Sequence, residues 1–487
     1  MNFRARTAIL LAACWLGVAP QAYGQNPAAL DSLRRSLGAV SARIDSLEAG
    51  LCPSEALSAA RLPTGNAATD SLAAGLDRLT RRVESIHSAK CAPGAAAQPA
   101  APLGGQQPSQ PIPPVRTGGA YMNIGFDGLT DFGWSSASDV GSLQLGDHDP
   151  RVRGFTIPNA ELTLDGAVDP YFKGFTNIVY KLDAQGETGV ELEEVYVLTT
   201  SLPANLQLKA GQFFTEFGRQ NPQHPHAWAF VDQPLVLTRM FGPDGLRSQG
   251  ARLSWLAPTS FYTEAMVSVL NSAGGTTSSF RSEGSSEIHG GVPDERTVEK
   301  LGDMLLVPRI ATSFDLTSTQ TLLLGVSAAF GPNNSGPRAH TQIYGADVYW
   351  KWKSPRAAAG FPFVSFQSEV MIRRYQAGGR VSAEDPAVSL PAETLRDRGA
   401  YAQVLWGIKP RIVAGLRGEF ASGNSAAFES PLRAKRTRVS PNLTWYPTEF
   451  SKVRFQYNFD DRKGIGRDHS FWVQFEFVLG AHAAHKF

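Results

Sequence analysis

The chain of 487 residues contains no apolar run near the ~20 residues that a membrane-spanning helix requires. It also lacks a charge excess: 46 lysines and arginines against 44 aspartates and glutamates leave a net charge of +2. The basic residues are dispersed, which argues against a nucleic-acid partner. The catalytic motifs of serine hydrolases and zinc proteases, and phosphate-binding glycine loops at strand–helix junctions, are missing too. We therefore expect neither enzyme activity nor a cofactor.

The N-terminal residues 1–24 have the pattern of a secretory signal peptide. Arg4 and Arg6 precede a short apolar core, and small residues near position 24 permit cleavage. An alternative is a lipoprotein signal at Leu11-Ala12-Ala13-Cys14, although the apolar stretch continues past Cys14. The chain is thus expected to be exported.

Residues 25–91 are predicted to form an α-helical, periplasmic coiled-coil segment. Apolar residues recur at spacings of three and four at Leu30, Leu33, Leu37, Val40, Ile44, Leu47 and Leu51, and a shorter copy covers 72–86. A self-associating stalk and a two-helix hairpin both fit this pattern. Cys52 and Cys91 follow the two helices, and a disulfide within one chain or between chains is possible. Residues 92–118, rich in Ala, Pro and Gln, are predicted to be a linker.

The remaining residues, 119–487, alternate between apolar and polar side chains. Val453, Phe455, Tyr457 and Phe459 are separated by Arg454, Gln456 and Asn458, and 471–479 repeats this pattern. Such alternation is typical of a sheet with lipid on one face and water on the other. It predicts an all-β transmembrane barrel of about sixteen antiparallel strands at 120–128, 154–166, 171–182, 190–200, 206–214, 247–257, 260–270, 304–316, 320–330, 342–354, 361–375, 397–408, 411–421, 436–446, 450–459 and 469–480.

The predicted connections alternate between short turns and long loops, as in outer-membrane barrels. The long ones cover 129–153, 183–189, 215–246, 271–303, 331–341, 376–396, 422–435 and 460–468. An even strand number places both barrel ends on the periplasmic side, together with the coiled coil. Strands 171–182 and 190–200 alternate poorly, and we interpret them as partly facing a neighbouring subunit.

Several stretches resemble the phosphate-selective porin O/P superfamily of outer-membrane proteins. They are Asn159–Gly166, Asp169–Phe172, Glu193–Val197 and Leu208–Phe213. The segment 217–228 and the ending 480–487 are similar to a subgroup often labelled as zinc-regulated or TonB-dependent outer-membrane receptors. The resemblance implies a sixteen-stranded, commonly trimeric barrel that passes small anionic solutes. A TonB-dependent receptor needs a plug domain and 22 strands, for which 119–487 has no room.

The third long connection, 215–246, is predicted to fold into the barrel and narrow it. The residues expected at this constriction are Arg219, His224, His226, Asp232 and Arg239 from the connection, with Lys351, Lys353 and Arg417 from the wall. Basic and acidic groups across a narrow eyelet would filter solutes by charge. The alternative is that the connection only packs against the inner wall, with Trp228, Phe230 and Leu235 as anchors.

His224 and His226 could also ligate a metal ion, although two histidines alone leave solvated side chains as the more ordinary interpretation. The sequence therefore predicts an outer-membrane porin for passive diffusion of small hydrophilic solutes, and it leaves open whether anionic solutes are preferred. Its partners would be outer-membrane lipid, two further copies in a homotrimer, and a periplasmic or cell-wall component at the coiled coil. The alternatives are a plugged barrel that anchors the coiled coil and a zinc-uptake channel.

Overall fold

The structure is a computed structural model that describes residues 115–117, 120–143, 146–183, 186–281, 289–294, 297–358, 360–428 and 430–480. The chain divides into a unit of Met1–Gln106 and a unit of Gln107–Phe487. All described residues belong to the second unit. The predicted signal peptide, coiled coil and cysteines lie outside the described residues, as does most of the linker.

Sixteen strands form the wall of the second unit. They are β1 (Ala120–Ser135), β2 (Gly154–Ala167), β3 (Phe172–Leu182), β4 (Thr188–Thr199), β5 (Leu206–Phe214), β6 (Arg247–Leu256), β7 (Tyr262–Leu270), β8 (Leu305–Thr317), β9 (Gln320–Pro332), β10 (His340–Ala358), β11 (Phe361–Ala377), β12 (Glu393–Lys409), β13 (Ile412–Gly423), β14 (Arg436–Thr448), β15 (Ser451–Arg462) and β16 (Gly466–Gly480). Each of the sixteen predicted segments is therefore present.

The sheet closes on itself. Every strand pairs antiparallel with the next along the chain, and β16 pairs with β1 from Ser470–Ser135 to Gly480–Gly125. The ring therefore has no open edge, as a barrel requires. A further short strand, Val115–Thr117, pairs with the start of β1, so these three residues of the predicted linker are part of the sheet.

Alternation along the strands separates two surfaces. On β15 the side chain of Phe455 is 40 % exposed, whereas its neighbour Arg454 is 1 % exposed. The same contrast holds on β13, where Leu416 points outward and Arg417 is buried inside. The predicted facing of both strands is confirmed. Apolar side chains cover the outside of the wall, and charged or polar side chains line its inside.

Several predicted connections are longer than the observed ones, and two of them show the reason. β1 continues to Ser135, because Phe132 and Trp134 extend its outward apolar face beyond a bulge near Asp131. The last long connection, predicted at 460–468, contains only Lys463, Gly464 and Ile465. Asp460 and Asp461 resemble loop residues, but they continue the ladder with β14 and β16.

Few of the residues that the structure describes lie in helices. α1 (Val140–Leu143) and α2 (Leu235–Phe241) are accompanied by single 3₁₀ turns at Pro203–Asn205, Pro225–Ala227, Leu301–Asp303 and Pro431–Arg433. A two-stranded ribbon of Arg380–Val381 and Ser389–Leu390 lies in the connection between β11 and β12. Among the described residues, no helix combines the length and the apolar character that crossing a bilayer would need.

An apolar core lies inside the barrel. α2 buries Val236, Leu237, Met240 and Phe241 against inward residues of the wall and against Phe217 and Phe280. The wall contributes Phe213, Leu270, Leu305, Val307, Ala329, Ile343, Met371 and Tyr401. Full burial of one such side chain is worth about 1.5–3 kcal/mol, so this lumen core firmly stabilises the segment that carries α2.

Candidate functional site

The lumen segment, residues 215–246, connects β5 to β6 through the interior of the barrel. Its start lies against β9 and β11, its middle against β2–β4 and β13–β15, and α2 against β11–β13. Irregular backbone inside a barrel must find hydrogen-bond partners away from bulk water. The wall supplies these partners through side chains.

The first anchor is Glu369 on β11. Its carboxylate accepts hydrogen bonds from the backbone N–H groups of Gln220 (2.7 Å) and Arg219 (3.2 Å), and from the Tyr401 hydroxyl (2.7 Å). Gly218 precedes these residues with φ of +64°, and an added Cβ there would lie 2.0 Å from Glu369 Oε2. Only glycine combines this left-handed conformation with so close an approach.

Cations and an amide of the wall bind the middle of the lumen segment. Lys452 donates to the carbonyl of His226 at 2.6 Å, and Arg454 donates to that of Trp228 at 2.7 Å. Asn442 donates to the carbonyl of Ala229 at 2.7 Å. These three side chains thus bind backbone carbonyl groups that, in a sheet, would accept hydrogen bonds from a neighbouring strand.

Asp232 is the most heavily bonded side chain of the segment. It accepts hydrogen bonds from Arg417, from Arg438 at 2.8 Å, and from the amides of Asn458 (2.9 Å) and Gln456 (3.0 Å). Burial acts to raise its pKa, but Arg417 and Arg438 outweigh burial, so the pKa of Asp232 is lowered. The carboxylate is therefore held in its charged form.

Three of the eight residues predicted at the constriction have almost no accessible side chain. Asp232 and Arg417 are paired with each other, and Arg239 donates to the carbonyls of Arg433 and Ala434. Trp228, Phe230 and Leu235 are also buried, in agreement with the alternative that they anchor the segment. These residues hold the segment in place, and a pore-lining role stays a prediction for the other five.

His224 and His226 lie in a cluster of carboxylates that belong to β1, β2 and β4. His224 Nδ1 is 2.9 Å from Glu193 Oε2 and 3.4 Å from Glu161 Oε2, while its Nε2 is 2.9 Å from Glu194 Oε2. Burial acts to lower the pKa of His224, but Glu161 and Glu193 raise it well above its ordinary value. The ring is thus embedded in negative potential.

His226 completes this histidine–carboxylate cluster, defined as Asp127, Glu161, Glu193, Glu194, His224 and His226. Its Nδ1 is 3.3 Å from Glu161 Oε2 and 3.5 Å from Asp127 Oδ2, and its ring stacks on that of His224 at 5.8 Å. Burial lowers the pKa of His226, yet Glu161 and Asp127 shift it above the ordinary value. Glu161 lies between the two histidines and contacts both.

A β-bulge in β4 explains two members of the cluster. Asn177 on β3 pairs with Glu194, and the next residue, Ile178, pairs with Leu192, so that Glu193 is the extra residue. A bulge lets two consecutive side chains turn to the same face. Glu193 and Glu194 are accordingly both buried inside the barrel, which accounts for the poor alternation of this strand. None of the four carboxylates was predicted as a partner of His224.

The remaining predicted residues form a basic patch of Arg219, Lys351 and Lys353. The Arg219 guanidinium lies 4.0 Å from the Tyr349 ring centroid and donates to Gln367 at 3.1 Å. Lys351 follows Tyr349 on the same face of β10, with its ammonium 4.9 Å from the Phe363 ring. Within the described residues, neither Arg219 nor Lys351 has a carboxylate oxygen within 4.0 Å. Their positive charges are therefore not neutralised by a neighbouring carboxylate, and they contribute to the electrostatic potential of the lumen.

The two charged groups belong to opposite arcs of the ring. The carboxylates of the cluster come from β1, β2 and β4, whereas the lysines of the basic patch come from β10, eight strands after β2. Half of a sixteen-stranded ring separates them. Opposite charges separated in this way set up an electric field across the ring.

A sequence relative covers more than two thirds of the chain. An uncharacterized protein of Aquifex aeolicus (strain VF5) is 34 % identical over 359 residues, which correspond to 69 % of this chain and 70 % of that protein. The chain belongs to the family of this Aquifex aeolicus protein. No family model matches the chain.

The fold is also similar to solved bacterial outer-membrane proteins. The outer-membrane channel DcaP of Acinetobacter baumannii has a TM-score of 0.49 at 13 % identity, over 74 % of this chain and 98 % of that one. OprB of Pseudomonas putida has a TM-score of 0.43 at 10 % identity, over 74 % and 94 %. OmpF of Salmonella typhi has a TM-score of 0.42 at 9 % identity, over 74 % and 98 %. The strand pairing described above defines the barrel independently of these likenesses.

Proposed function

We propose that the protein is an outer-membrane porin that lets small hydrophilic solutes diffuse through its lumen. The observation that carries the proposal is the closed ring of sixteen antiparallel strands with an apolar outside and a charged inside. In hydrocarbon every backbone polar group must be bonded internally, and a closed barrel achieves this. A charged interior is what a water-filled path requires.

The outer surface supports a membrane location. Large apolar side chains are exposed on neighbouring strands, among them Trp134, Phe155, Leu253, Trp255, Ile310, Val326, Val370, Trp406, Leu416, Trp445 and Phe475. An exposed apolar surface of this extent marks a membrane or a protein interface. A homotrimer would cover part of it and leave the rest to lipid.

The direction of β1 supports a periplasmic position for the N-terminal segment. β1 begins at the end of the barrel where the short turns lie, and it runs towards the connection 136–153. Short turns face the periplasm in outer-membrane barrels. Residues 25–91 would then lie in the periplasm, where a coiled coil can stabilise a trimer or bind a cell-wall partner.

Anion preference is the finer part of the proposal, and charge pairing supports it. Most inward arginines are neutralised by carboxylates, as in Arg309–Asp347 (2.6 Å) and Arg373–Asp397 (2.7 Å). Arg219 and Lys351 have no such partner among the described residues. Their field therefore favours anions in the lumen.

Single-channel conductance of the full mature chain in a planar bilayer tests both parts. We expect stable steps and, under a KCl gradient, a reversal potential that favours chloride. The R219Q/K351Q variant should move the reversal potential towards cations, while R467Q, which removes one exposed charge, should not. Absence of steps from a folded, heat-modifiable barrel would reject diffusion, and equal selectivity of all three proteins would reject the role of the basic patch.

The lumen core favours one second function, a plugged barrel that anchors the N-terminal segment. Phe217, Val236 and Phe241 fill part of the interior with apolar side chains that exclude water. If the barrel is plugged, V236A/F241A should open a conductance that the wild type lacks. If the porin proposal is correct, the wild type already conducts and the variant only conducts more.

A further inference from the structure

We infer that the histidine–carboxylate cluster binds a divalent transition-metal ion that fastens the lumen segment to β1, β2 and β4. Nitrogen and carboxylate ligands of this kind suit Zn²⁺ and related ions. Two candidate ligand sets share Glu161: one consists of Glu161, Glu193 and His224, and the other of Asp127, Glu161 and His226. The inference concerns a binding site and does not depend on whether the barrel conducts.

The separations between ligand atoms fit a metal ion. A tetrahedral Zn²⁺ with bonds of about 2.0–2.2 Å keeps its ligand atoms about 3.3–3.6 Å apart. From His224 Nδ1 the carboxylate oxygens are at 2.9 and 3.4 Å, and from His226 Nδ1 they are at 3.3 and 3.5 Å. An ion can therefore enter between these atoms with shifts of only a few tenths of an ångström.

Asp127 gives a second, independent indication. Its side chain is 1 % exposed, and neither of its carboxylate oxygens has a hydrogen-bond partner among the described residues. A buried carboxylate without hydrogen bonds is costly unless a cation stabilises it. The His226 ring is 3.5 Å away, beyond hydrogen-bond geometry, and a metal ion bound with His226 and Glu161 would supply a closer cation.

The cluster also has the supporting contacts that metal ligands usually have. Glu161 Oε1 accepts a hydrogen bond from Asn159 at 2.7 Å, and Asn177 donates to Glu193 at 2.8 Å. Such bonds orient carboxylates towards an ion. His226 is further fixed through its backbone carbonyl, which Lys452 binds. The ligands are thus positioned by four strands before any ion arrives.

Calorimetric titration of the refolded, EDTA-treated chain with Zn²⁺ tests the inference. We expect one or two ions per chain, and binding at least about tenfold weaker in E161Q and in H224A/H226A. Substitution of the tail histidines, H482A/H485A, and of the exposed His469 should leave the affinity unchanged. Heat modifiability on gels shows which variants still form the barrel.

Two outcomes would overturn this site. One is that the wild type binds Zn²⁺ no more tightly than E161Q. The other is that H482A/H485A removes the binding while E161Q retains it, which would place the ion at the tail. E161Q keeps the size of the side chain, so it answers the question even if H224A/H226A fails to fold. Conductance, recorded separately, decides the porin proposal.

A different observation carries a second inference: the outer wall binds a phosphate-bearing lipid near the long connections. Arg374 on β11 pairs directly with Arg396 on β12, and both side chains point outward. Like charges at paired positions repel each other unless an anion lies between them. Arg398 and Lys435 add two more exposed cations, and none of the four has a carboxylate within 4.0 Å among the described residues.

The surroundings of these cations suit an amphipathic ligand. A cavity of about 470 Å³ is lined by Arg398, Phe420, Ser422, Lys435 and Thr437. Towards the middle of the wall it continues into exposed Ile372 and Val439. A phosphate would meet the arginines and hydroxyls while the acyl chains lie along the apolar wall.

Native mass spectrometry of the full chain in neutral detergent tests this second site with lipid A. We expect the wild type to retain lipid A over phosphatidylcholine, and R396Q/R398Q to lose it. The variant K463Q/R467Q, which removes two exposed charges near the last turn, should retain it as the wild type does. Equal retention by R396Q/R398Q would overturn the inference. So would displacement of lipid A by inorganic phosphate at equal concentration, because the site would then bind free phosphate.

Discussion

The wall and the lumen segment are held in place by different kinds of hydrogen bond. In the wall, each residue pairs with the next strand through backbone hydrogen bonds, and side chains only choose between the outside and the inside. In the lumen segment, the backbone depends on side chains of distant strands, such as Glu369, Lys452 and Arg454. One structure is periodic and tolerant of substitution, while the other depends on individual residues. Four changes test this contrast.

The largest effect is expected from Asp232→Asn. Removing the carboxylate charge takes one of two carboxylate partners from Arg417 and from Arg438, which keep Glu419 and Asp460. Because breaking a buried ion pair costs about 3–5 kcal/mol, we expect a loss of up to that size. The wall should survive, so the barrel stays heat-modifiable while the lumen segment becomes sensitive to protease. Asp461→Asn is the matched control, because Asp461 pairs at 3.6 Å with an arginine whose side chain is 72 % exposed. That change should cost at most about 1 kcal/mol. Equal protection of the segment in D232N would contradict the anchoring role.

The wall should be broken instead by Leu416→Arg. Leu416 lies in the middle of β13 and points outward. Arginine on the lipid face costs about 2–4 kcal/mol near the bilayer midplane and about 0–1 kcal/mol near its surface. Equilibrium unfolding from lipid vesicles measures the cost, and Thr448→Arg at the end of β14 provides the control near the surface. Equal costs at the two positions would contradict the proposed membrane position of the wall.

A smaller effect is expected from Gly218→Ala. The new Cβ would displace Glu369 and break its bonds to the N–H groups of Arg219 and Gln220, at a cost of about 1–3 kcal/mol. Gly464→Ala is the control that measures the cost of a positive φ alone. Gly464 also has a positive φ (+82°), but an added Cβ there would have no heavy atom within 4 Å. The measurement is the difference in unfolding free energy between the two variants. No difference would mean that Glu369 adapts without loss.

The smallest expected effect is the pH dependence of stability that is caused by His289, a residue outside the lumen segment. Burial lowers the pKa of His289 to about 3, and Arg373 and Arg433 act in the same direction. Its ordinary value is about 6.5, so the neutral side chain contributes stability above pH 6.5, and this contribution is lost as the pH falls towards 3. The protection factors of the amides in 289–294, which correct for the intrinsic pH dependence of hydrogen exchange, should fall on acidification. His289→Asn, which cannot titrate, should flatten this dependence; an equal slope would exclude His289 as its cause.

The same contrast explains what could be predicted from the sequence. All sixteen strands were predicted because outward residues such as Phe455 and Leu416 recur with period two, a local signal. Asp460 and Asp461 were placed in a loop because the inward partners of Asp460, Arg436 and Arg438, come 24 and 22 residues earlier in the sequence and no local pattern shows them. The bulge at Glu193 shows only as a loss of alternation, which was interpreted as an interface.

The site was predicted only in part for a related reason. His224 and His226 stand out because two histidines lie in a loop, but Glu161 and Asp127 are ordinary inward positions of their strands. The histidines contact these carboxylates because of the path of the lumen segment through the barrel, and no local sequence pattern predicts that path. Asp232, Arg239 and Arg417 were recognised as charged but not as buried, since burial depends on which charges face one another.

The partners of Asp232 also set an order of assembly. Arg417, Arg438 and Asn458 follow it by up to 226 residues and belong to strands near the end of the ring. Until those strands are in place, the carboxylate has no arginine to meet and the segment has no fixed path. Docking of the segment is therefore a late event that reports whether the last strands have joined in register. In a barrel whose last strands pair out of register, the lumen segment would lack these partners and stay undocked. Its protease-accessible backbone would then distinguish such a barrel from a correctly paired one.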